Sequence, residues 1–186
     1  MAVSAEGPTD AKLAIVGEAP GDQEVREGRP FVGGAGKLLD GMLEEAGLER
    51  GECYVTNILT EQPDQTASTS TLRNDFGKLY QGKLPTTRLL EEVERLKSEL
   101  RTLKPNVILA LGNEPLRWLT GKVGITSWRG SVLEGVEGIG KVVATYHPAA
   151  IMRQFSWRPV SVFDVRKAAQ EMASPQITQQ PRVLVT

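Results

Sequence analysis

Apolar runs and amphipathic stretches alternate along the chain, a pattern typical of a protein in which strands alternate with helices. Four short apolar runs predict buried strands at residues 12–16, 54–59, 107–111 and 142–146. Apolar residues that recur at three and four positions predict helices at 37–46, 89–103, about 114–119 and about 160–172. The intervals 17–36 and 60–86 are rich in Gly, Pro or polar residues, so long loops are predicted there.

This order predicts an α/β fold, a three-layer α/β/α sandwich with a central, mainly parallel sheet. One domain is expected at 11–173, with tails at 1–10 and 174–186, although the terminal VLVT could add an edge strand. Ligands of such folds bind beyond the carboxyl ends of the strands. Glu18, Asn57 and His147 lie at the ends of three predicted strands. We therefore expect these three side chains to share one site.

Composition limits the possible functions. The net charge is −1 and the isoelectric point is near 6.0, so any contact with nucleic acid has to be local. The single cysteine, Cys53, excludes an intrachain disulfide and an all-cysteine metal site within these 186 residues. No basic and apolar leader and no membrane-length apolar stretch occur. A soluble, cytoplasmic protein without membrane contacts is expected.

Two separated motifs resemble those of one enzyme family. The segment GEAPGDQEVREGRPFVGGAGKLL at 17–39 resembles the first signature of family 4 uracil-DNA glycosylases, and HPAAIMR at 147–153 resembles the second. YVTNI, GITSWRG and the strand order are also similar, so the resemblance spans 12 to about 172. It implies the fold of these glycosylases and DNA as the partner, and we expect the protein to act as a monomer.

The implied activity is hydrolysis of the N-glycosidic bond of uracil, or of a related deaminated or modified base, flipped out of DNA. The product would be an abasic site. The alternative within the same fold is a protein that binds such bases without turnover, or becomes covalently linked to DNA through its histidine. A nucleotide- or phosphate-binding enzyme is disfavoured, because neither GxGxxG nor GxxxxGK[ST] is present.

The resemblance assigns Glu18 and His147 to catalysis. Glycosidic cleavage develops positive charge on the sugar and negative charge on the base, so a carboxylate and a hydrogen-bond donor are suitable stabilisers. Glu18 would orient water or stabilise the sugar, and His147 would donate to uracil O2. From the residues alone, Glu18 could instead accept turn N–H groups, and His147 could be a strand-end histidine bonded to a carbonyl.

Four residues are assigned to the base by the resemblance: Ala19 beside the catalytic glutamate, Glu24 against the C5 position, Phe31 stacked on the ring, and Asn57 on the N3 and O4 edge. An amide can accept and donate at once, as that edge requires. Phe31 could alternatively plug its loop onto the core, Asn57 could form an Asx-turn, and Glu24 could be a solvated charge.

Further residues are assigned to DNA. The glycines before Lys37 permit close approach of phosphate to a helix start. The segment after His147 would probe the minor groove, with Ile151 or Met152 as an apolar wedge, unless these side chains pack in the core. Basic side chains would meet phosphates. The predicted DNA-contact residues are Gly33, Gly34, Lys37, Arg129, Ile151, Met152 and Arg153.

One departure from the family concerns its cofactor. Family 4 members carry four cysteines that hold a [4Fe-4S] cluster, one of them a few residues after the asparagine. That stretch here is NILTEQP, with Glu61 at the expected cysteine position, and Cys53 precedes Asn57. We therefore expect no iron-sulfur cluster and no other cofactor. The loop at 60–86 would stand in for it, or contact DNA or a partner.

Overall fold

The computed structural model describes residues 1–62 and 86–178. Within these residues a five-stranded sheet has the order β2-β1-β3-β5-β4. The strands are β1 (Leu13–Gly17), β2 (Tyr54–Asn57), β3 (Val107–Leu111), β4 (Val132–Glu134) and β5 (Lys141–Thr145). All pairs are parallel except that of β4 with β5. The predicted α/β fold with a mainly parallel sheet is confirmed.

Seven α helices accompany the sheet in the described residues: α1 (Asp22–Glu27), α2 (Gly34–Glu45), α3 (Thr87–Leu103), α4 (Asn113–Thr120), α5 (Ile125–Trp128), α6 (Pro148–Arg153) and α7 (Arg158–Glu171). Short 3-10 turns lie at Arg50–Glu52, Val136–Gly138 and Phe155–Trp157. None of the described helices is long and apolar enough to span a bilayer.

The core lies on both faces of the sheet. Every residue of β1, β3 and β5 is buried, which is why β1 and β3 are apolar runs that do not alternate, while β5 has the apolar centre VVA between Lys141 and Thr145. On α3 the buried residues are Leu89, Val93, Leu96 and Leu100, one stripe at helical spacing. Thr86 begins this helix as the N-cap, its hydroxyl accepting the Leu89 N–H at 3.2 Å.

Several sequence predictions need correction. The interval 17–36 contains α1 and the first turn of α2, and the connector before β5 contains α5 and β4. The N-terminal residues are also not a free tail. Glu6 forms an antiparallel bridge with Val55 of β2, and the Val3 N–H donates to the Thr60 carbonyl at 2.7 Å.

Most of the predicted loop at 60–86 and the terminal VLVT fall outside the described residues. The first residues of the proposed C-terminal tail, 174–186, contact the sheet. The buried Lys141 side chain donates to the carbonyls of Ser174 and Gln176, so residues 174–176 pack against β5.

Candidate active site

The carboxyl ends of four strands meet at one edge of the sheet. Gly17 and Asn57 are paired across β1 and β2, so Glu18 follows directly beside Asn57. β3 ends next to them and turns at Gly112, and β5 leads into His147. The Gly112 N–H donates to the carbonyl of Thr145 at 2.8 Å. The strand order thus brings together the three polar residues that sequence placed at strand ends.

Gly17 forms the contact point between an aromatic ring and an amide. A β-carbon at this position would lie 2.3 Å from Cζ of Phe31 and 2.4 Å from Oδ1 of Asn57. No side chain fits there without displacing both groups, so glycine is required by packing. The Phe31 ring and the Asn57 amide therefore border the same small space above the end of β1.

Phe31 is held in an unusual backbone conformation. Its φ of 51° lies in the left-handed region, which is uncommon for an aromatic residue. Gly36 allows this, because a β-carbon there would lie 1.9 Å from the Phe31 carbonyl oxygen. The Arg50 guanidinium donates to the same carbonyl at 2.7 Å. The ring is 5% exposed, belongs to the hydrophobic core and lies 5.9 Å from the ring of His147. The core contact agrees with the alternative that Phe31 plugs its loop onto the core, and its stacking on a base stays a prediction.

Asn57 carries an unused hydrogen-bonding group. The residue is 6% exposed, and its Oδ1 has no partner among the described residues. A buried amide oxygen without a hydrogen bond costs roughly 1–3 kcal/mol. Such a group in a native fold indicates a missing partner, and here the space beside it is the one bordered by Phe31. The amide is available to a ligand that supplies an N–H.

His147 is a neutral donor in this setting. Its Nδ1 accepts the N–H of Ala149 at 3.0 Å, which caps α6. Burial, assisted by the positive charge of Arg153, lowers the pKa of His147 to about 4. The imidazole is therefore uncharged near neutral pH, and with Nδ1 used as an acceptor its proton resides on Nε2. That N–H is free to donate to a ligand.

A second carboxylate that sequence reasoning missed, Glu114, acts electrostatically on Glu18. Burial, together with the negative charge of Glu114, raises the pKa of Glu18 to about 7. Glu114 stands near the start of α4, accepts the Trp118 indole N–H at 3.2 Å, and also has a raised pKa because of burial. A raised carboxyl pKa in a cleft is a frequent property of catalytic groups.

Sequence comparison identifies the family of this fold and site. The profile of the uracil DNA glycosylase superfamily matches residues 4–170. The chain belongs to this superfamily.

Several curated superfamily members are similar over most of their length. The type-4 uracil-DNA glycosylase of Thermotoga maritima is 32% identical over 171 residues, which is 89% of this chain and 80% of that protein. That of Sulfurisphaera tokodaii is 33% identical, over 94% of this chain and 76% of its own. That of Archaeoglobus fulgidus is 34% identical, over 92% and 82%.

In this superfamily member Glu24 organises the loop that carries Phe31. Its carboxylate accepts the N–H groups of Gly21 at 3.1 Å, Val32 at 3.0 Å and Gly33 at 2.9 Å. Sequence reasoning missed this role. It also corrects the prediction that Gly33 binds phosphate, because the protein's own carboxylate already occupies that amide at the start of α2. A role of Glu24 against the base stays a prediction.

Burial distinguishes the two residues that were predicted as the apolar wedge, Ile151 and Met152. Ile151 is fully buried in the core, so its assignment to DNA is wrong, whereas Met152 is 55% exposed. The methyl of Met152 lies over Gly34, where a β-carbon would approach to 3.0 Å. Arg153 is exposed on the next position of α6. Met152 and Arg153 thus face outward from the helix that His147 caps.

The remaining assigned residues divide into two groups. The Arg129 guanidinium is bound within the protein: it donates to Asp164 at 2.6 and 2.9 Å and to the Val160 carbonyl at 3.0 Å. Its predicted phosphate contact stays a prediction. Lys37 is exposed on α2, and Ala19 is half-buried beside Glu18. Their predicted contacts with DNA and with the base stay predictions.

The described thiol and acidic groups give no ligand set for a metal. In the parts of the chain that the structure describes, no three His, Cys, Asp or Glu side chains cluster suitably. Cys53 is buried, its thiol donates to the Glu49 carbonyl at 3.5 Å, and burial raises the pKa of Cys53 to about 11. A protonated, inward-facing thiol is a poor metal ligand.

Proposed function

We propose that this protein removes uracil from DNA by hydrolysing its N-glycosidic bond, which leaves an abasic site. The observation that carries the proposal is the buried Oδ1 of Asn57, which has no partner among the described residues and lies close to the ring of Phe31. It accepts the N3–H of a pyrimidine stacked on Phe31, while Nδ2 donates to O4. Cytosine has no N3–H, so the same amide orientation discriminates against it.

The two catalytic groups act on opposite charges. As the bond to the base breaks, negative charge develops on the base and the neutral His147 donates its Nε2–H to uracil O2. The ionised Glu18 stabilises the positive sugar or orients the attacking water. Water is the nucleophile, so the enzyme is monofunctional. These steps need one flipped nucleotide, since the sugar carbon is inaccessible in the base stack.

The rim of the site contacts DNA outside the flipped base. Met152 is the apolar side chain that enters the gap left in the duplex, and Arg153 and Lys37 pair with phosphates. The protein acts as a monomer in the cytoplasm.

Met152→Ala is expected to weaken cleavage of double-stranded more than of single-stranded DNA, because only a duplex has a gap to fill.

The family 4 cofactor does not fit this chain. A [4Fe-4S] cluster requires four thiolates, and these 186 residues contain one cysteine, which is buried and bonded to a carbonyl. We therefore expect the purified protein to contain less than about 0.1 iron per chain by elemental analysis and to lack cluster absorption in the visible range. Stoichiometric iron that survives chelation would contradict this expectation.

Oligonucleotide cleavage tests the function. The protein is incubated with single- and double-stranded DNA containing uracil, hypoxanthine, 5-hydroxymethyluracil, cytosine or thymine. Alkali-labile sites and protein-DNA adducts are then scored. Multiple-turnover release of uracil, with cytosine and thymine left intact, supports the proposal. A stable adduct or stoichiometric binding without release would contradict it and indicate a non-turnover binder.

The raised pKa of Glu18 predicts the acid limb of the pH profile. If the carboxylate is the active form, log(kcat/KM) rises with pH and levels off above about 7. The charge of Glu114 contributes to this pKa, so Glu114→Gln moves the midpoint to lower pH. The test measures kcat/KM against pH for the wild type and for Glu114→Gln. Glu134→Gln, which changes an exposed glutamate on β4, is the control. An unchanged midpoint in Glu114→Gln would contradict the coupling.

A further inference from the structure

The backbone that presents Asn57 needs donors beyond the sheet. The carbonyls of Asn57 and Ile58 lie where β2 ends, and both residues are buried. A single nitrogen of Arg95, on α3, donates to both oxygens, at 3.0 Å and 2.9 Å. Buried carbonyls without donors are costly, so this guanidinium fixes the path of the chain directly after the base-reading residue.

Arg95 is itself held by two carboxylates of the same helix. Its other nitrogens donate to Glu92 at 2.7 Å and to Glu99 at 2.5 Å. Burial raises the pKa of Glu92, but hydrogen bonds from Thr60 and Arg95 outweigh this, so the net pKa is lowered and Glu92 is ionised. The guanidinium therefore has little freedom, and its planar fork is suited to bonds in several directions.

The same carboxylates bind both ends of the strand segment. Glu99 accepts the hydroxyl of Tyr54, the first residue of β2, and Glu92 accepts the Thr60 hydroxyl at 2.6 Å. We call Glu92, Arg95 and Glu99, with the bonds they make to residues 54–60, the α3 clamp. It contacts the segment before, at and after Asn57.

The segment also reaches the catalytic strand. The Ile58 N–H donates to the Gly17 carbonyl at 2.9 Å, and the Leu59 N–H donates to the Glu18 carbonyl at 3.0 Å. A shift of residues 57–59 would therefore move the Asn57 amide and the Glu18 backbone together. One arginine outside the pocket is linked in this way to both the base-reading and the sugar-facing groups.

We propose that Arg95 is a positioning residue that sets the relative placement of Asn57 and Glu18 through the α3 clamp. The kinetic part of the inference rests on the proposed glycosylase function. The clamp contacts residues 57–60, directly before Glu61, which stands at the position expected for a cluster cysteine. Hydrogen bonds from α3 thus fix the backbone next to this position, where the chain has no cysteine.

The test compares Arg95→Met with Arg101→Met on the same helix. Arg101 forms surface ion pairs with Glu94 and Glu137 and does not contact the segment. Hydrogen exchange of the Ile58 and Leu59 amides is measured alongside kcat and KM for uracil-containing DNA. We expect Arg95→Met to speed exchange at both amides roughly 10- to 100-fold and to lower kcat roughly tenfold with little change in KM.

The control and a second variant keep the inference falsifiable. Arg101→Met should leave exchange at both amides and kcat within about twofold of wild type. Arg95→Lys retains the charge but cannot bond two carboxylates and two carbonyls, so it should also speed exchange at both amides. This variant replaces Arg95→Met in the test if Arg95→Met does not fold. Unchanged exchange at Ile58 and Leu59, or equal acceleration in β3, would overturn the inference. Hydrogen exchange does not depend on turnover, so failure of this inference can be distinguished from failure of the proposed glycosylase function.

Discussion

Glu18→Gln is expected to remove nearly all uracil excision, with kcat lowered on the order of 100- to 1000-fold. Glutamine has the same shape but cannot ionise, so it offers no negative charge to the developing sugar cation. The neutral amide still fits the pocket, so KM for uracil-containing DNA should change little. Single-turnover kinetics on a duplex oligonucleotide would measure the loss. Retention of more than a tenth of wild-type kcat would show that the carboxylate is not required.

The same substitution should stabilise the folded protein at alkaline pH. The pKa of Glu18 is about 7 when folded, against an ordinary 4.5, so the folded state binds more protons than the unfolded state between these values. Wild-type stability therefore falls as pH rises through this window, and Glu18→Gln avoids the loss. Linkage gives a gain of about 3 kcal/mol in the free energy of unfolding at pH 8 as an upper value, and almost none at pH 4.

Urea denaturation at several pH values tests this linkage. Glu134→Gln, at an exposed position on the edge strand, should show no such pH-dependent gain. A Glu18→Gln variant that loses activity but gains no stability at pH 8 would indicate that burial does not raise the pKa of Glu18 in the folded state. Loss of function with a gain in stability distinguishes a catalytic charge from a structural one.

The sheet was predictable because its strands are buried on both faces. β1 and β3 are apolar runs and β5 has an apolar centre, and burial explains that pattern directly. α1 was not predicted, because DQEVRE shows no apolar stripe. Its start is stabilised by the bond from the Gly21 N–H to Glu24, and it ends at Gly28 in the left-handed region. β4 has three residues, too few for a periodic signal.

The site was predictable only where strand ends define it. Glu18, Asn57 and His147 follow strands, so the parallel topology alone brings them to one edge. Glu114 and Arg95 were missed because their relevance depends on which helices pack beside those ends. The contact from Arg95 to the Asn57 carbonyl spans 38 positions in sequence, and no local pattern marks it. Burial likewise separates Ile151 from Met152, which are adjacent and equally apolar.

His147→Asn is the second substitution with a large expected effect. Asparagine is a favourable N-cap, so it can keep the bond to the start of α6 that Nδ1 makes to the Ala149 N–H at 3.0 Å. Its shorter side chain cannot place a donor where Nε2–H points. We expect kcat to fall roughly 100-fold, as for removal of one donor to a developing anion, with the unfolding free energy changed by less than about 1 kcal/mol.

The pH dependence makes this prediction specific to a neutral histidine. Because the pKa of His147 is about 4, the wild-type imidazole does not change charge between pH 6 and 9. The ratio of wild-type to His147→Asn rates should therefore stay constant across this range, with both profiles following Glu18. A ratio that collapses above pH 7 would mean that the imidazolium is the active form. In that case the donor would be a charged group, and the burial that lowers the pKa of this ring would oppose catalysis.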